Sequence, residues 1–433
     1  MAKKDPRLKK LAEALKDLEL AEFSPYSEEF LSMLGTGFVS LTDTRQQSKV
    51  KHQMSDCIAI ILFCVFSDVD EWYEMELFAQ DNIDILSKYL QLPYGIPSHD
   101  TLERVLSIIK PDELQDVLTG VLRETIQRVT QDGYHYENPE LELYIKDVVA
   151  IDGKETKNSG NPKKPDVRDQ RNYDVLNVQS TETGITLSSS RIDEKTNEIP
   201  EAQAVLKTLD LRGCIVTTDA LNTQKRTAEA IVKDAHADYC LAVKSNQKLL
   251  YDDLLLYFKD ADLLKELASL EQCFLRETEE TSQQTITYEQ YITDQINWLA
   301  SKKDWPKLKS IGYVKKTILN KDTGKQSTEE RFYICSFIAV VDLFALVIRR
   351  HWHIENTLHW VLDVVFKEDS LHTREKKALH NLGLLNRFVR SILKILKPYY
   401  NNISYRYIRR KIGRNFEKEL PVVFAVLKKL YEM

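Results

Sequence analysis

Three acidic residues lie where the surrounding sequence is otherwise apolar, and together they predict a metal-dependent site. Asp152 ends the run YIKDVVAID, Asp219 ends CIVTTD, and Glu355 interrupts the apolar seam of a tryptophan-rich segment. An ionised carboxylate beside a hydrophobic core costs several kcal/mol unless a cation or a hydrogen-bond donor compensates it. Three such residues that converge therefore favour binding of a divalent metal over a purely structural role.

The chemistry that such a site supports is phosphoryl transfer. Mg²⁺ prefers carboxylate oxygens and keeps positions open for water and for phosphate oxygens. Two carboxylates on adjacent strands and a third on a crossing helix could hold two ions about 4 Å apart. One ion would activate an attacking hydroxyl and the other would stabilise the leaving oxygen, without an organic cofactor or a covalent enzyme intermediate.

Simpler explanations exist for the individual residues. An Asp before a glycine, as at Asp152, is also a common turn former. Around Glu355, His351 and His359 stand four residues before and after it and share its helical face. His351 and His353 also resemble a zinc-ligand pair, but residues two apart on a helix point in different directions, which disfavours zinc.

The order of the periodic segments predicts how the acidic residues are positioned. Helical patterns fill residues 5–128, and three β-rich runs follow as LYIKDVVAID, DVLNVQST and GITLSSSRID. Helices then alternate with the strands CIVTTD and YCLAVK. This order is the one that an RNase H-like sheet requires, in which the first and fourth strands are neighbours. Asp152 and Asp219 would then face each other at the ends of those strands.

The predicted fold class is α/β, with an RNase H-like catalytic core, an N-terminal helical domain and a β-rich insertion. Residues 1–140 form the helical domain, with possible DNA binding, and residues 141–260 form the first part of the core. Residues 261–342 form the insertion, 343–397 return to the core with the helix that carries the third carboxylate, and 398–433 form a basic C-terminal tail.

A helix pair in the N-terminal region could read DNA. The break PYGIPS precedes HDTLERVLSIIK, in which Asp100 and Glu103 fit a capping box. A helix, a turn and a second helix would place His99, Thr101 and Arg104 near the start of a recognition helix. Ordinary helix packing explains the same pattern.

Basic residues are concentrated in the last quarter of the chain. The formal net charge is -6, yet residues 345–418 contain 16 Lys and Arg against 6 Asp and Glu, so an acidic chain can still present a basic face to nucleic acid. The candidate DNA contacts are Lys154, Lys157, Arg349, Arg350, Arg374, Arg387, Arg390 and Lys394. Further basic residues are Lys163 and Lys164 in a polar loop, Lys397, and Arg406, Arg409, Arg410, Lys411 and Arg414 in the tail.

Composition excludes several other classes. The chain has 433 residues and 43% hydrophobic content, which suits a soluble protein with a sizeable core. Its longest apolar run, CIAIILFCVF, is much shorter than the roughly 18 residues of a membrane span. No signal-peptide core follows the N-terminus, and six cysteines without zinc-like spacing are typical of a reduced, cytoplasmic protein.

Four ordered segments resemble one protein family. They are AIDGKE around Asp152, RIDEKTNEIPEAQAVLKTLDLRGCIVTTDALNTQ around Asp219, DYCLAVKSNQ, and HWHIENTLHWVLDVVFKED around Glu355. Over residues 42–394 the chain resembles the H-repeat-associated (ISAs-type) family of bacterial insertion-sequence DDE transposases. GIPSHDTLERVLSIIKP looks like the associated helical domain of that family.

The resemblance implies that Asp152, Asp219 and Glu355 are the DDE triad and bind two ions of Mg²⁺ or Mn²⁺. It implies a transposase that cleaves the ends of an insertion element and joins them to target DNA by phosphoryl transfer. It also implies partners: double-stranded DNA with terminal inverted repeats, target DNA, and a second copy of the chain in the DNA complex. The expected location is the bacterial cytoplasm, at the nucleoid when DNA is bound. A transposase-derived DNA-binding protein without catalysis and a metal-dependent nuclease stay open as alternatives.

Overall fold

The computed structural model describes residues 35–130, 145–157, 159, 172–192, 198–370 and 375–432. Over these residues the protein is a mixed α/β fold in which helices pack around a nine-stranded sheet. Every helix in this part of the chain is too short or too polar to span a lipid bilayer.

The strands are β1 (Asp147–Thr156), β2 (Tyr173–Ser180), β3 (Thr186–Arg191), β4 (Cys214–Thr218), β5 (Asp238–Val243), β6 (Phe274–Glu280), β7 (Gln284–Thr293), β8 (Ser310–Asn320) and β9 (Gln326–Cys335). The main helices are α1 (Met54–Phe66), α2 (Trp72–Asp81), α3 (Ile83–Leu86), α4 (His99–Ile108), α5 (Pro111–Thr130), α6 (Glu198–Leu206), α7 (Lys225–Glu229), α8 (Lys248–Lys259), α9 (Ala261–Ala268), α10 (Val341–Ile354), α11 (Trp360–Val364), α12 (Lys376–Leu396), α13 (Tyr405–Arg414) and α14 (Phe416–Glu432). A π-helical turn, Glu355–His359, joins α10 to α11.

The strand order is β3-β2-β1-β4-β5-β9-β8-β7-β6. β1, β2 and β3 form an antiparallel meander, whereas β1, β4 and β5 run parallel. The predicted meander and the predicted neighbourhood of the first and fourth strands are therefore confirmed. Both faces of β1 are buried, because Val149 and Ile151 pack under α6 and α8 while Val148 packs under α10. Burial on both faces explains why this strand is a nearly continuous apolar run.

The predicted β-rich insertion continues the same sheet. β9 pairs antiparallel with β5, in a register that sets Cys335 opposite Cys240 and Phe332 opposite Val243. Only the inner half of β9 is buried, and its outer half, QSTEER, extends with β6, β7 and β8 into solvent. The segment also begins with a helix, α9, rather than with a strand.

Helices from both ends of the chain share one hydrophobic core. α1 is buried on nearly all sides, as expected for a helix that is apolar all round, and it packs with α4, α12 and α13. The predicted C-terminal tail is wrong as a description, because residues 405–424 are helical and packed. Ile408, Ile412, Phe416 and Leu420 recur every four residues and form the buried face of this segment.

The start of α4 differs from the predicted capping box. Ser98 is the N-cap residue, and its side chain makes no capping hydrogen bond. Instead Glu76 of α2 accepts hydrogen bonds from the backbone nitrogen and from Nδ1 of His99, at 2.8 and 2.6 Å. Arg104 is exposed, so its DNA-reading role stays a prediction, whereas His99 is engaged with α2.

Candidate metal centre

Two of the predicted carboxylates lie at the same edge of the sheet. The parallel register of β1 and β4 ends with Ile151 opposite Thr218, and the residues that follow are Asp152 and Asp219. β4 ends there, but β1 continues to Thr156 because it still pairs with β2, so Asp152 lies within its strand and not at its end as predicted. Side chains at the carboxyl ends of parallel strands meet at one edge, where α/β proteins commonly bind ligands. The sequence-based expectation that these two residues lie on neighbouring strands is therefore met.

Glu355 reaches the same place from the other side of the fold. It is the first residue of the π-helical turn, and His359 is the last. Nδ1 of His359 lies 3.6 Å from Oδ2 of Asp152 and 3.7 Å from Oε2 of Glu355. Ligand atoms of these three residues all lie within 4.8 Å of one another, which makes them a group that could hold a metal ion. Asp219 lies beside this compact group rather than within it.

The group is buried at its base and open on one side. The side chain of Asp152 is 18% exposed, His359 is buried, and the side chain of Glu355 is 57% exposed. π-helical turns are rare and occur often at functional sites. Here the turn directs an exposed carboxylate and a buried imidazole towards Asp152.

The Asp152 carboxyl lies in an unfavourable electrostatic environment. Burial raises its pKa to about 8, and repulsion from Glu355, Asp219 and Glu198 contributes to the increase. The pKa of Glu355 is lowered instead, because of its contact with the His359 imidazole. A divalent cation would offset the repulsion at Asp152, and oxygen ligands of this kind fit a hard cation such as Mg²⁺ or Mn²⁺.

Asn177 fixes the orientation of the His359 ring. Oδ1 of Asn177 accepts hydrogen bonds from Nε of Arg387 at 2.7 Å and from Oγ of Ser189 at 3.1 Å. Its amide nitrogen therefore points at Nε2 of His359, 3.5 Å away, and that ring nitrogen is the acceptor. The proton of a neutral His359 then resides on Nδ1, facing the carboxylates of Asp152 and Glu355.

The zinc alternative depends on His351 and His353. Among the side chains that the structure describes, however, the histidine of the group that could hold a metal ion is His359. Nδ1 of His351 contacts Oγ1 of Thr217 at 3.0 Å, and burial lowers the pKa of His351 to about 4, so its ring is neutral at pH 7. The position of the His353 side chain lies outside what the structure describes.

A fourth carboxylate, which sequence reasoning missed, also lies at the site. Glu198 opens α6, and its Oε2 accepts a hydrogen bond from Nδ2 of Asn222 at 3.0 Å. The same amide group donates to Oδ1 of Asp219 at 3.1 Å. One feature of the sequence pointed to Glu198, an acidic residue that opens the helix after the third strand, but its approach to Gly153 and Asn222 leaves no local pattern.

Comparison with known proteins identifies the family. Residues 144–390 match the model described as the transposase DDE domain, and residues 36–120 match the model described as DDE_Tnp_1-associated. The chain belongs to the DDE transposases. Its resemblance to the H-repeat-associated members is confirmed as well, since YhhI of Escherichia coli K12, named as an H repeat-associated transposase, is 30% identical over 379 residues.

Other relatives of this DDE family member cover it to a similar extent. The match to YhhI spans 87% of this chain and 94% of YhhI, and the protein YbfL of Escherichia coli K12 matches with the same identity and coverage. Among solved structures, a piggyBac transposase synaptic complex with hairpin DNA matches with a TM-score of 0.37 and 11% identity, covering 92% of this chain and 79% of that one.

Several basic residues that the sequence predicts as DNA contacts are buried in the transposase. Nζ of Lys154 lies 2.6 Å from Oδ1 of Asp363 and 3.6 Å from Oε2 of Glu368. Nη1 of Arg387 lies 2.8 Å from Oε1 of Glu368, so the two cations share one buried carboxylate. Lys154 and Arg387 therefore neutralise charge beneath the site and are not surface contacts for DNA.

The predicted basic stripe on α12 is wrong for the same reason. This helix is buried on most of its surface, between the sheet and the N-terminal helices. Arg390 is fully buried and donates to the backbone carbonyls of Gly184 and Thr357. Lys394 is largely shielded from solvent, and burial lowers its pKa. A three- or four-residue spacing of basic residues looks the same on a surface helix and on a central helix whose cations bind carbonyls.

The remaining candidates occupy different positions. Lys157 is exposed, with its backbone nitrogen donating to Asp369, and Arg349 is exposed and paired with Glu277 at 2.6 Å. Arg350 is mostly shielded and paired with Glu182 at 2.6 Å. Contacts of these residues with DNA stay predictions. Three further candidates, Arg374, Lys163 and Lys164, lie outside the described residues.

Proposed function

We propose that this chain is an active DNA transposase that cleaves the ends of an insertion element and joins them to target DNA. Asp152, Asp219 and Glu355 would hold two divalent ions, Mg²⁺ or Mn²⁺, with their carboxylate oxygens. The observation that carries this proposal is the convergence of Asp152 with Glu355 and His359 at the sheet edge where β4 delivers Asp219.

Metal ions bound there would supply activation of the attacking hydroxyl and stabilisation of the leaving oxygen at phosphorus. The protein's own part is positioning. Asn222 holds Asp219 through its backbone nitrogen and its side-chain amide, both 3.1 Å from Oδ1. His359, oriented by Asn177, directs a proton at Asp152 and Glu355. These contacts support the carboxylates in one arrangement before DNA arrives, which favours catalysis.

The sheet supports an RNase H-like core. The order β3-β2-β1-β4-β5, with an antiparallel meander followed by two parallel strands, matches the arrangement expected for that fold. Family membership supports double-stranded DNA as the substrate, with the terminal inverted repeats and the target as its two forms. A homodimer would bring two element ends together. Exposed Lys157 and Arg349 would contact the phosphate backbone near the site.

An in vitro strand-transfer assay tests the proposal. The substrate is a duplex with the inverted repeats that flank the gene, incubated with target DNA and Mg²⁺ or Mn²⁺. Wild type is expected to cleave and join, whereas Asp152→Asn, Asp219→Asn and Glu355→Gln should each lose nearly all activity. Asp262→Asn, on an exposed carboxylate of α9, is the matched control. DNA binding without cleavage by wild type would instead support the non-catalytic alternative, and cleavage without joining would support a nuclease.

A further inference from the structure

Asn222 joins two carboxylates that are 21 positions apart in the sequence. The residue is fully buried, with no exposed surface. Its Nδ2 atom lies 3.0 Å from Oε2 of Glu198 and 3.1 Å from Oδ1 of Asp219. A single amide group therefore holds one oxygen of each carboxylate, which keeps the two acidic groups close although they repel each other.

Glu198 also lies against the strand that carries Asp152. A Cβ atom added to Gly153 would lie 2.1 Å from Oε1 and 3.0 Å from Oε2 of Glu198. Both carboxylate oxygens therefore occupy the space that any side chain at position 153 would fill. Glu198 thus lies between the residue that follows Asp152 and the amide that holds Asp219.

A buried atom at the same place is left without a partner. Oδ1 of Asn222 makes no hydrogen bond to any described residue, although it is shielded from solvent. A buried carbonyl oxygen without a hydrogen-bond donor is unfavourable, because it has lost its contacts with water. An amide oxygen and carboxylate oxygens are the groups that a hydrated hard cation, through its waters or directly, can satisfy.

The electrostatic environment of Glu198 would be relieved by a bound cation. Burial and the charge of Asp219 raise the pKa of Glu198, and the Asn222 hydrogen bond lowers it. Glu198 also raises the pKa of Asp152. Glu198, Asp219 and Glu355 therefore all repel the Asp152 carboxylate at one sheet edge, and a divalent cation would offset this repulsion.

We infer that Glu198 is a fourth carboxylate ligand of the metal centre, where it would join Asp152 and Asp219 in holding a divalent cation. The inference rests on the proposed function. A purely structural role competes with it, because an acidic residue in the first turn of a helix is favourable by itself. Glu201 lies three residues later in the same turn of α6 and provides the comparison.

Binding of Mn²⁺ to the metal-depleted full-length protein tests the inference without an activity assay. Calorimetric titration well below the melting temperature measures the affinity of wild type, Glu198→Gln, Glu201→Gln and Asp152→Asn. Glu198→Gln is expected to weaken Mn²⁺ binding roughly 10- to 100-fold, as loss of a group that supports a metal site does. Glu201→Gln removes the same charge from the same helix turn but leaves the proposed ligand in place. It should therefore bind Mn²⁺ as wild type does.

Thermal unfolding with and without Mn²⁺ separates a ligand from a structural residue. If Glu198 is a ligand, the metal-free Glu198→Gln protein should melt at the wild-type temperature or above it, because one repulsive charge is gone, and Mn²⁺ should stabilise it less. Wild-type Mn²⁺ affinity in Glu198→Gln would overturn the inference, whatever its melting temperature.

The same titrations distinguish this inference from the function on which it rests. If Asp152→Asn loses Mn²⁺ binding while Glu198→Gln keeps it, the fourth ligand is wrong and the three-carboxylate centre stands. If wild type binds no Mn²⁺, or if Asp152→Asn binds it as wild type does, the proposed metal centre itself is wrong. The role of Glu198 as a ligand of that centre is then wrong as well.

Discussion

Nδ1 of His359 lies 3.6 Å from Oδ2 of Asp152, across the gap between the π-helical turn and β1. This contact joins the helical and the sheet parts of the candidate metal centre. It depends on a buried chain of polar contacts, since Asn177 sets the ring orientation and Arg387 sets the orientation of Asn177. The centre is therefore supported from beneath by residues that never reach the surface.

Replacement of His359 should impair catalysis without removing a carboxylate. His359→Ala is expected to lower strand transfer about 10- to 100-fold, the usual cost of losing a residue that orients metal ligands. The measurement is the initial rate of strand transfer at saturating Mg²⁺. His236→Asn, at an exposed position with a φ of 57° that Asn tolerates, is the control. A wild-type rate for His359→Ala would show that the ring does not support the carboxylates.

Burial of Arg409 predicts that α13 is essential to stability. This arginine is 0% exposed and pairs with Asp70 at 2.5 Å and with Asp68 at 3.1 Å. Arg409→Ala would leave Asp70 buried without its closest cation, which should lower the free energy of unfolding by about 3–5 kcal/mol. Urea denaturation measures the change.

The neighbouring residue provides a matched control for that prediction. Arg410 also pairs with Asp68, at 3.0 Å, but its side chain is 47% exposed. Exposed ion pairs contribute little, so Arg410→Ala should cost less than about 1 kcal/mol. Equal losses of stability in the two variants would contradict the view that residues 405–424 are a packed part of the fold rather than part of a basic tail.

We expect the buried Asp147 carboxyl to make the free energy of unfolding depend on pH, whether or not metal is bound. Burial raises its pKa to about 7, and Ser180 and the backbone nitrogen of Glu182 donate hydrogen bonds to it. The folded protein therefore keeps a proton that the unfolded chain releases above pH 3.8, the ordinary value for this group. Stability should fall as the pH rises from about 4 to about 7. Asp147→Asn should flatten this part of the curve of unfolding free energy against pH, and an unchanged slope would refute the assignment.

We expect a side chain at position 153 of β1 to affect Mn²⁺ affinity through its contact with Glu198. Gly153→Ala would push the Glu198 carboxylate aside, because the added Cβ would lie 2.1 Å from Oε1. Since that carboxylate is the end of a flexible side chain, we expect a small loss of stability and a clear loss of Mn²⁺ affinity. The loss of affinity should vanish in the Glu198→Gln background, which a double-mutant cycle measures. Gly120→Ala, where the added Cβ meets no atom within 4 Å, is the control.

Local periodicity in the sequence was sufficient to predict the sheet edge that carries Asp152 and Asp219. The runs around them have the length and composition of buried strands, and the order of strands and helices leaves few topologies. The pairing of β9 with β5 was not predictable in the same way, because 82 residues separate Val243 from Gln326 and strand pairing over such a distance leaves no local pattern. The continuation of the sheet through β9 was missed for that reason.

Side-chain environments were harder to predict than strand order. Arg387 and Arg390 have the spacing of a basic surface stripe, but their helix lies at the centre of the fold. Arg387 pairs with a buried carboxylate, and Arg390 donates hydrogen bonds to backbone carbonyls. Glu198 was missed because its role depends on Asn222 and Gly153, which approach it only in the folded chain. Burial and contacts across the fold decide such roles, and neither has a fixed signature in a single sequence.

Anomalous X-ray diffraction at the manganese edge, from crystals of the full chain with element-end DNA and Mn²⁺, tests the central claim most directly. The account predicts manganese peaks at the edge formed by β1 and β4, within ligand distance of Asp152, Asp219 and Glu355. Loss of these peaks in Asp152→Asn crystals would strengthen the assignment. Manganese bound elsewhere on the protein, with these three carboxylates free of metal, would contradict it.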